Sequence, residues 1–240
     1  MSFTPENRDA AGWARPIQTL TVAEGHINVT GRRPTAPIHG FGKMWQKTYR
    51  ASLGEQDVAP SAVIAAWKER FSEFWPAKSK FFAPLAGIAP GEVAALDLGM
   101  PGGLKLSTGV LVLFADEDSF TLMTPQGHMF AGWITFSAFR QDGATQAQAQ
   151  VLMRASDPVY EMGMALGGHR QEDQHWVHTL RSLAAHFGVE AEVEVERMCV
   201  DRRRELSRCG NVWQNSGIRS GLHMMGAPFR AIRPGRRERD

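Results

Sequence analysis

The feature that most restricts the fold is a change of period. From residue 92 to residue 155, the helical period gives way to five strand-like runs. These are EVAALDL (92–98), LKLSTGVLVLF (104–114), SFTLMTP (119–125), HMFAGWITFSAF (128–139) and TQAQAQVLMRA (145–155). Turn chemistry separates them: Met-Pro-Gly-Gly (100–103), Ala-Asp-Glu-Asp (115–118), Pro-Gln-Gly (125–127) and Gln-Asp-Gly (141–143). A parallel pair needs a crossover of about a dozen residues or more, so links this short dictate antiparallel hairpins. The last run alternates most cleanly. Gln146, Gln148 and Gln150 share one face, and Ala147, Ala149, Val151 and Met153 share the other.

Helical spacing appears on both sides of these runs. In VAPSAVIAAWKERFSEFW (58–75), Val63, Trp67, Phe71 and Phe74 form one apolar stripe, Pro60 suits a first turn, and Pro76 ends the helix. QEDQHWVHTLRSLAAHFG (171–188) is the longest amphipathic segment. Trp176, Leu180, Leu183 and Phe187 line one side of it, and Gly188 stands at its C-terminal cap. Two further strands are expected, KMWQKTYRASL (43–53) and VEAEVEVERMCV (189–200), the second with an acidic face of Glu190, Glu192, Glu194 and Glu196. Residues 76–91 read as one short broken helix, and HINVT (26–30) as a strand-like piece within an irregular arm. The chain thus divides into an arm (1–42), a compact domain (43–200) and an extension (201–240) that is partly irregular and ends in a basic tail.

An open antiparallel sheet must bury its inner face, and the long helix 171–188 is the element available to close over it. The expected class is therefore α+β. Small residues at Ala147 and Ala149 either let a helix approach closely or leave a void between helix and sheet. Phe114, Trp133, Phe136 and Phe139 would line what gap remains.

The order of elements resembles the helix-grip fold of the START-like superfamily, which includes lipid carriers, plant pathogenesis-related proteins and polyketide aromatase/cyclases. Gly127-His128, Gly132 and Phe136 in GHMFAGWITF, followed by the Asp142-Gly143 turn, resemble a bacterial and plant branch with a similar Gly-His, Gly, Phe pattern. Met129 stands where that pattern has proline, and Trp133 where it has an acidic residue. The likeness spans residues 43–188. It implies a curved antiparallel sheet wrapped around a long C-terminal helix, and a cavity between them; it lends no activity.

Composition bounds the partners. Lys and Arg total 27 against 25 Asp and Glu among 240 residues, too balanced for a nucleic-acid protein. The basic stretch RAIRPGRRERD (230–240) and Arg202, Arg203 and Arg204 read as solvated surface. Cys199 and Cys209 make neither a zinc quartet nor a disulfide framework, so reduced thiols are expected. The first residues lack a signal-peptide pattern, and no run of about 18 apolar residues occurs. A cytoplasmic protein without a membrane span is expected. Glycine-rich nucleotide motifs and serine-elbow or metalloprotease signatures are absent, so no cofactor is expected.

Three residues are candidates for chemistry. His128, at the start of a strand, is either an acid/base group facing the cavity or a turn residue bonded to backbone. Asp97, within ALDLG (95–99), either faces the cavity or points to water. Tyr160, after Pro158, either bonds a ligand or caps a loop. Glu172, His175, His178 and His186 have spacings that metal ligands use on helices. They read better as solvated flanks, so no metal is expected.

The leading functional expectation is binding of a small apolar or amphipathic molecule between helix 171–188 and the sheet, lined by Phe114, Met129, Trp133, Phe136, Ala147, Ala149, Met153, Trp176 and Leu180. The alternatives are a cyclase or dehydratase-type enzyme using His128, and a subunit-interaction protein forming a homo-oligomer through 201–240.

Overall fold

A computed structural model describes residues 12–22, 28–54, 58–99 and 105–225. The turn at 100–103, the start of HINVT and the tail 230–240 lie outside them.

Among the described residues, eight strands form one antiparallel sheet in the order β2-β3-β4-β5-β6-β7-β1-β8. Five of them are the strand-like runs: β3 (Val93–Gly99), β4 (Lys105–Ala115), β5 (Ser119–Met123), β6 (Phe130–Gln141) and β7 (Ala144–Ala155). Their order in space is their order in sequence, as short hairpins require. The flanking strands β1 (Met44–Ser52) and β8 (Val193–Asp201) extend the sheet beyond β7. Across the sheet lie α1 (Pro60–Glu69), α2 (Pro158–Gly163) and the long α3 (His169–His186). This is the α+β, helix-grip arrangement: a curved antiparallel sheet against a long helix.

Three local expectations are corrected. Residues 76–91 do not form a helix; Lys80–Phe82 is β2, a short edge strand on β3. Val29 and Gly31 close a turn rather than extend a strand, since Arg32 N–H bonds Val29 O and Gly31 has φ +78°. The 58–75 helix ends earlier, at Glu69, and Phe71–Phe74 continues as a separate 3-10 turn.

The inner face has a solid half and an open half. In the solid half, Ala147 and Ala149 are fully buried, and α1 packs on β6 and β7 above them. The small residues therefore serve close approach. Trp67 of α1 meets Phe136 at 5.0 Å between ring centroids, and Phe71 meets Phe120 at 5.5 Å and Phe136 at 5.1 Å. Leu180, Leu183 and Ala184 of α3 complete this core.

On the outer face, Leu20 and Val29 cover Leu111. Trp13 lies 4.9 Å from Phe114 between ring centroids. The C-terminal segment includes α4 (Ser216–Met225) and docks on its own chain. Ser216 N–H bonds Gly127 O, Asn215 Nδ2 bonds Asp157 Oδ2 at 2.8 Å, and Asn28 Nδ2 bonds Ser220 Oγ at 2.9 Å.

Candidate ligand cavity and the charged cluster in its wall

In the open half, α3 and the sheet enclose a cavity of about 400 Å³. Its walls come from Leu96 and Leu98 of β3, Val110 of β4, Leu122 of β5, the segment His128–Ile134, and Val151 and Met153 of β7. The roof comes from Tyr160 and Met164, from Glu172, His175 and Trp176 of α3, and from Trp75. A kink between α2 and α3 shapes one edge. Leu166 leaves helical geometry there, Gly167 has φ +120°, and Leu166 and Gly167 both border the cavity. A φ of that value is open only to glycine without strain. Leu166 is also strongly exposed, so the edge of the cavity is apolar and in contact with solvent.

Of the residues expected to line the space, Met129, Trp133, Met153, Trp176, His128 and Tyr160 do so. Four others do not: Phe136, Ala147, Ala149 and Leu180 are fully buried in the packed core, where Trp67 of α1 meets Phe136. Phe114 lies on the outer face. A bulge between Val112 and Phe114 shifts the register, so Phe114 pairs with Thr121 and Ala115 with buried Phe120. One extra residue reverses which face each later side chain takes. Asp97 is also turned away. Its neighbours Leu96 and Leu98 line the cavity, and the pleat puts Asp97 on the opposite side, across from Lys80 and Ser107.

His128 is buried, and its Nδ1 accepts the Phe130 N–H at 3.0 Å. A backbone N–H can only donate, so the ring's own proton sits on Nε2. Burial lowers its pKa to about 4, and the imidazole is neutral at physiological pH. The Tyr160 hydroxyl accepts the Gly217 N–H at 2.9 Å, tying α4 to the cavity wall, and burial raises its pKa.

Gly127 allows the C-terminal segment to close down beside His128. It has φ +88°, and a Cβ there would collide with the Gln214 carbonyl. Gly127→Ala is expected to cost about 1–2 kcal/mol from the left-handed backbone alone. It should also loosen 206–225, which limited proteolysis would show as faster cleavage there.

A charged cluster on β1 and α3 reaches the cavity lining at Glu172. Lys47 is 1% exposed and donates to Glu172 Oε2 and, at 2.9 Å, to Asp173 Oδ1. The Tyr49 hydroxyl donates to Asp173 Oδ1 at 2.7 Å, and Arg197 of β8 bonds Asp173 Oδ2 at 2.9 Å. For Asp173, burial pushes the pKa upward. The Lys47 and Tyr49 hydrogen bonds and the nearby cations outweigh it and hold the carboxyl below its usual range. Glu172 has fewer partners. Burial raises its pKa to about 7 against the pull of Lys47, and its Oε1 has no partner among the described residues.

His175 corrects the reading of solvated flanks. It borders the cavity, its ring meets Trp75 at 4.8 Å, and burial lowers its pKa to about 4. Glu172 likewise faces inward. No group of three or more His, Cys, Asp or Glu side chains suited to a metal occurs among the described residues.

Neither Glu172 nor Lys47 figured among the expected site residues, yet the signal for each is present. Glu172 lies four residues before Trp176, on the apolar stripe of α3. Lys47 shares strand parity with Tyr49 and Ala51, both fully buried.

No protein-family model matches the sequence, and no curated protein matches it. Solved structures with a similar chain trace include a START superfamily protein from Mycobacterium smegmatis, 19% identical over 61% of this chain and 98% of that one, with a TM-score of 0.41. A protein from Arthrobacter aurescens is 13% identical over 60% of this chain and 86% of that one, with a TM-score of 0.45. The di-domain ARO/CYC StfQ from the steffimycin biosynthetic pathway is 11% identical over 61% of this chain and 53% of that one, with a TM-score of 0.45. Among the described residues, no helix is long and apolar enough to cross a membrane.

Proposed function

We propose that the protein binds one small, largely apolar molecule in the cavity between α3 and strands β3–β7. The observation that carries this reading is the cavity itself: about 400 Å³ of space walled by Leu96, Leu98, Val110, Leu122, Ile134, Val151 and Met153 beside a few polar groups. Cores are close-packed, and a gap of this size lined by large apolar side chains forfeits contacts that a ligand restores. Pockets for small molecules have this composition, mostly apolar with a few polar points that set orientation.

The cyclase or dehydratase reading has less support from these residues. Asp97 is on the other face, the Tyr160 hydroxyl accepts a hydrogen bond from Gly217, and His128 is neutral with Nδ1 occupied. The subunit-interaction reading rests on Leu206, Trp213 and Leu222, which remain exposed on the docked C-terminal segment. A contiguous exposed apolar patch marks a partner surface. Size-exclusion chromatography of Trp213→Ser against wild type tests it: a smaller particle for the variant supports self-association, and equal elution removes it.

The binding reading is tested with a neutral solvatochromic dye such as Nile red. Wild type is expected to bind one equivalent. Leu98→Trp, which puts bulk on a half-buried wall position, is expected to weaken binding roughly tenfold, about 1.4 kcal/mol, without loss of fold by circular dichroism. Absence of dye binding, or equal binding by the folded variant, contradicts the reading.

A further inference from the structure

Four buried residues of the cavity lining carry a side-chain nitrogen or oxygen: Trp75, Thr124, His128 and Glu172. Three of them have nothing to offer a ligand. Thr124 Oγ1 accepts the Gly132 N–H and donates to Gly132 O. Trp75 Nε1 and Glu172 Oε1 are closed off by packing, and Glu172 Oε2 is held by Lys47. His128 differs. The Phe130 N–H lies 3.0 Å from its Nδ1 and Phe130 O farther, at 3.2 Å, so Nδ1 is the acceptor and the ring proton sits on Nε2. That Nε2 has no partner among the described residues, yet packing does not close it off, and the residue borders the cavity. A buried N–H without an acceptor is unfavourable, so a molecule that brings an acceptor oxygen to it gains free energy on binding.

The donor is also held in place. Gly127, with φ +88°, makes the turn that carries the ring, and Gly127 O accepts the Ser216 N–H, so the docked C-terminal segment braces that turn. More than nine-tenths of His128 is buried, and the ring stays neutral at physiological pH.

We propose that the occupant of the cavity is a neutral, largely apolar molecule with a carbonyl group, and that His128 Nε2–H donates a hydrogen bond to the carbonyl oxygen. The proposal rests on the small-molecule reading above and adds the polar group that orients the molecule.

The surroundings of the donor disfavour other polar groups. A hydroxyl accepts from Nε2–H as well, but its own proton then needs an acceptor, and none is open among the buried side chains of the lining. A carboxylate would bury a full charge against a neutral donor in an apolar wall, which is costly. An ammonium only donates, so it would meet Nε2–H donor to donor. A carbonyl oxygen accepts and requires nothing in return.

The test uses 2-undecanone labelled with ¹³C at its carbonyl, 2-undecanol, and 2-methyl-1-undecene, in which CH₂ replaces the carbonyl oxygen. In isotope-edited infrared spectra, the C=O stretch of the ketone bound to wild type is expected below its position in hexane, as hydrogen bonding requires. By displacement of Nile red, wild type is expected to bind the ketone roughly tenfold tighter than the alcohol, on the order of one unpaired buried donor. His128→Phe keeps a ring and has no N–H. In it the stretch is expected to move back to the hexane position, and ketone binding to fall roughly tenfold relative to the alkene. A wild-type stretch at the hexane position, or alcohol bound as tightly as ketone, overturns the carbonyl anchor while leaving the cavity reading intact. A folded His128→Phe that keeps the wild-type stretch overturns the assignment to His128. If neither dye nor ketone binds, the small-molecule reading falls and the anchor with it. Should the variant fail to fold, wild type labelled with ¹⁵N-histidine decides. Its His128 Nε2 resonance is expected to shift with the ketone and not with the alkene, and an unmoved resonance overturns the assignment.

Discussion

Lys47→Met is expected to lower folding stability by about 3–5 kcal/mol, the usual consequence of removing one partner of a buried ion pair. The side chain is fully buried and bonds two carboxylates, Glu172 and Asp173. Asp173 would keep Tyr49 and Arg197. Glu172 would keep nothing, since Lys47 supplies its hydrogen bond and Oε1 is already unpaired. An uncompensated carboxyl in an apolar wall must either stay charged at great cost or take up a proton. The double variant Lys47→Met with Glu172→Met removes both charges and keeps the volume, so it should recover most of the loss. Urea denaturation of the three proteins measures both effects. A single variant within about 1 kcal/mol of wild type, the range of a surface ion pair, would show that the pair is not buried as described.

Acidification from about pH 6.5 to pH 4 is expected to destabilise the fold by several kcal/mol. His128, His175 and His169 are each lowered to about 4, in every case first by burial; His169 is lowered next by Lys47. In the unfolded chain these rings take up protons near pH 6.5, whereas in the folded chain they resist until about pH 4. Their contribution is therefore present above 6.5 and lost as the pH falls toward 4. For fully buried His128 the depression corresponds to about 3 kcal/mol; the more exposed His169 contributes less. Glu172 acts in the opposite direction. Its pKa is raised to about 7, so its contribution is present below 4.5 and lost as the pH climbs to 7. One carboxyl offsets part of what three histidines lose, and the net change on acidification is a loss. Thermal melts at pH 7 and pH 4.5 measure it. His128→Asn, which keeps a hydrogen-bonding side chain and cannot protonate, should narrow the difference. Stability that is flat or greater at pH 4.5 would contradict the protonation states assigned here.

These two effects arise from residues that pattern alone placed poorly. Strand parity located most of the sheet, because alternation every two residues is visible without tertiary knowledge. Gln146, Gln148 and Gln150 are half-buried while Ala147, Ala149, Val151 and Met153 are buried. The same rule failed at Phe114, where a bulge shifts the register and no residue in VLVLFADED announces it. Position in the solid or the open half of the core was less legible. Phe136 and Met153 both face inward, but only the placement of α1 above Phe136 decides that one is packed and the other borders a cavity. Polar residues on apolar faces were the missed signal. Glu172 sits on the α3 stripe and Lys47 on the inner parity of β1, and each in isolation resembles a surface charge. Their pairing becomes visible only when the two elements meet.

The central claim is that the space beneath α3 is a binding site and not a packing defect. Native mass spectrometry of the protein purified from its own host, without detergent or organic solvent, tests it most directly. The predicted result is a discrete added mass of one neutral small molecule per chain, lost after chloroform extraction and regained when the extract is returned, and absent in Leu98→Trp. A bare polypeptide mass under conditions that preserve a control complex, together with no regain from the extract, would contradict it.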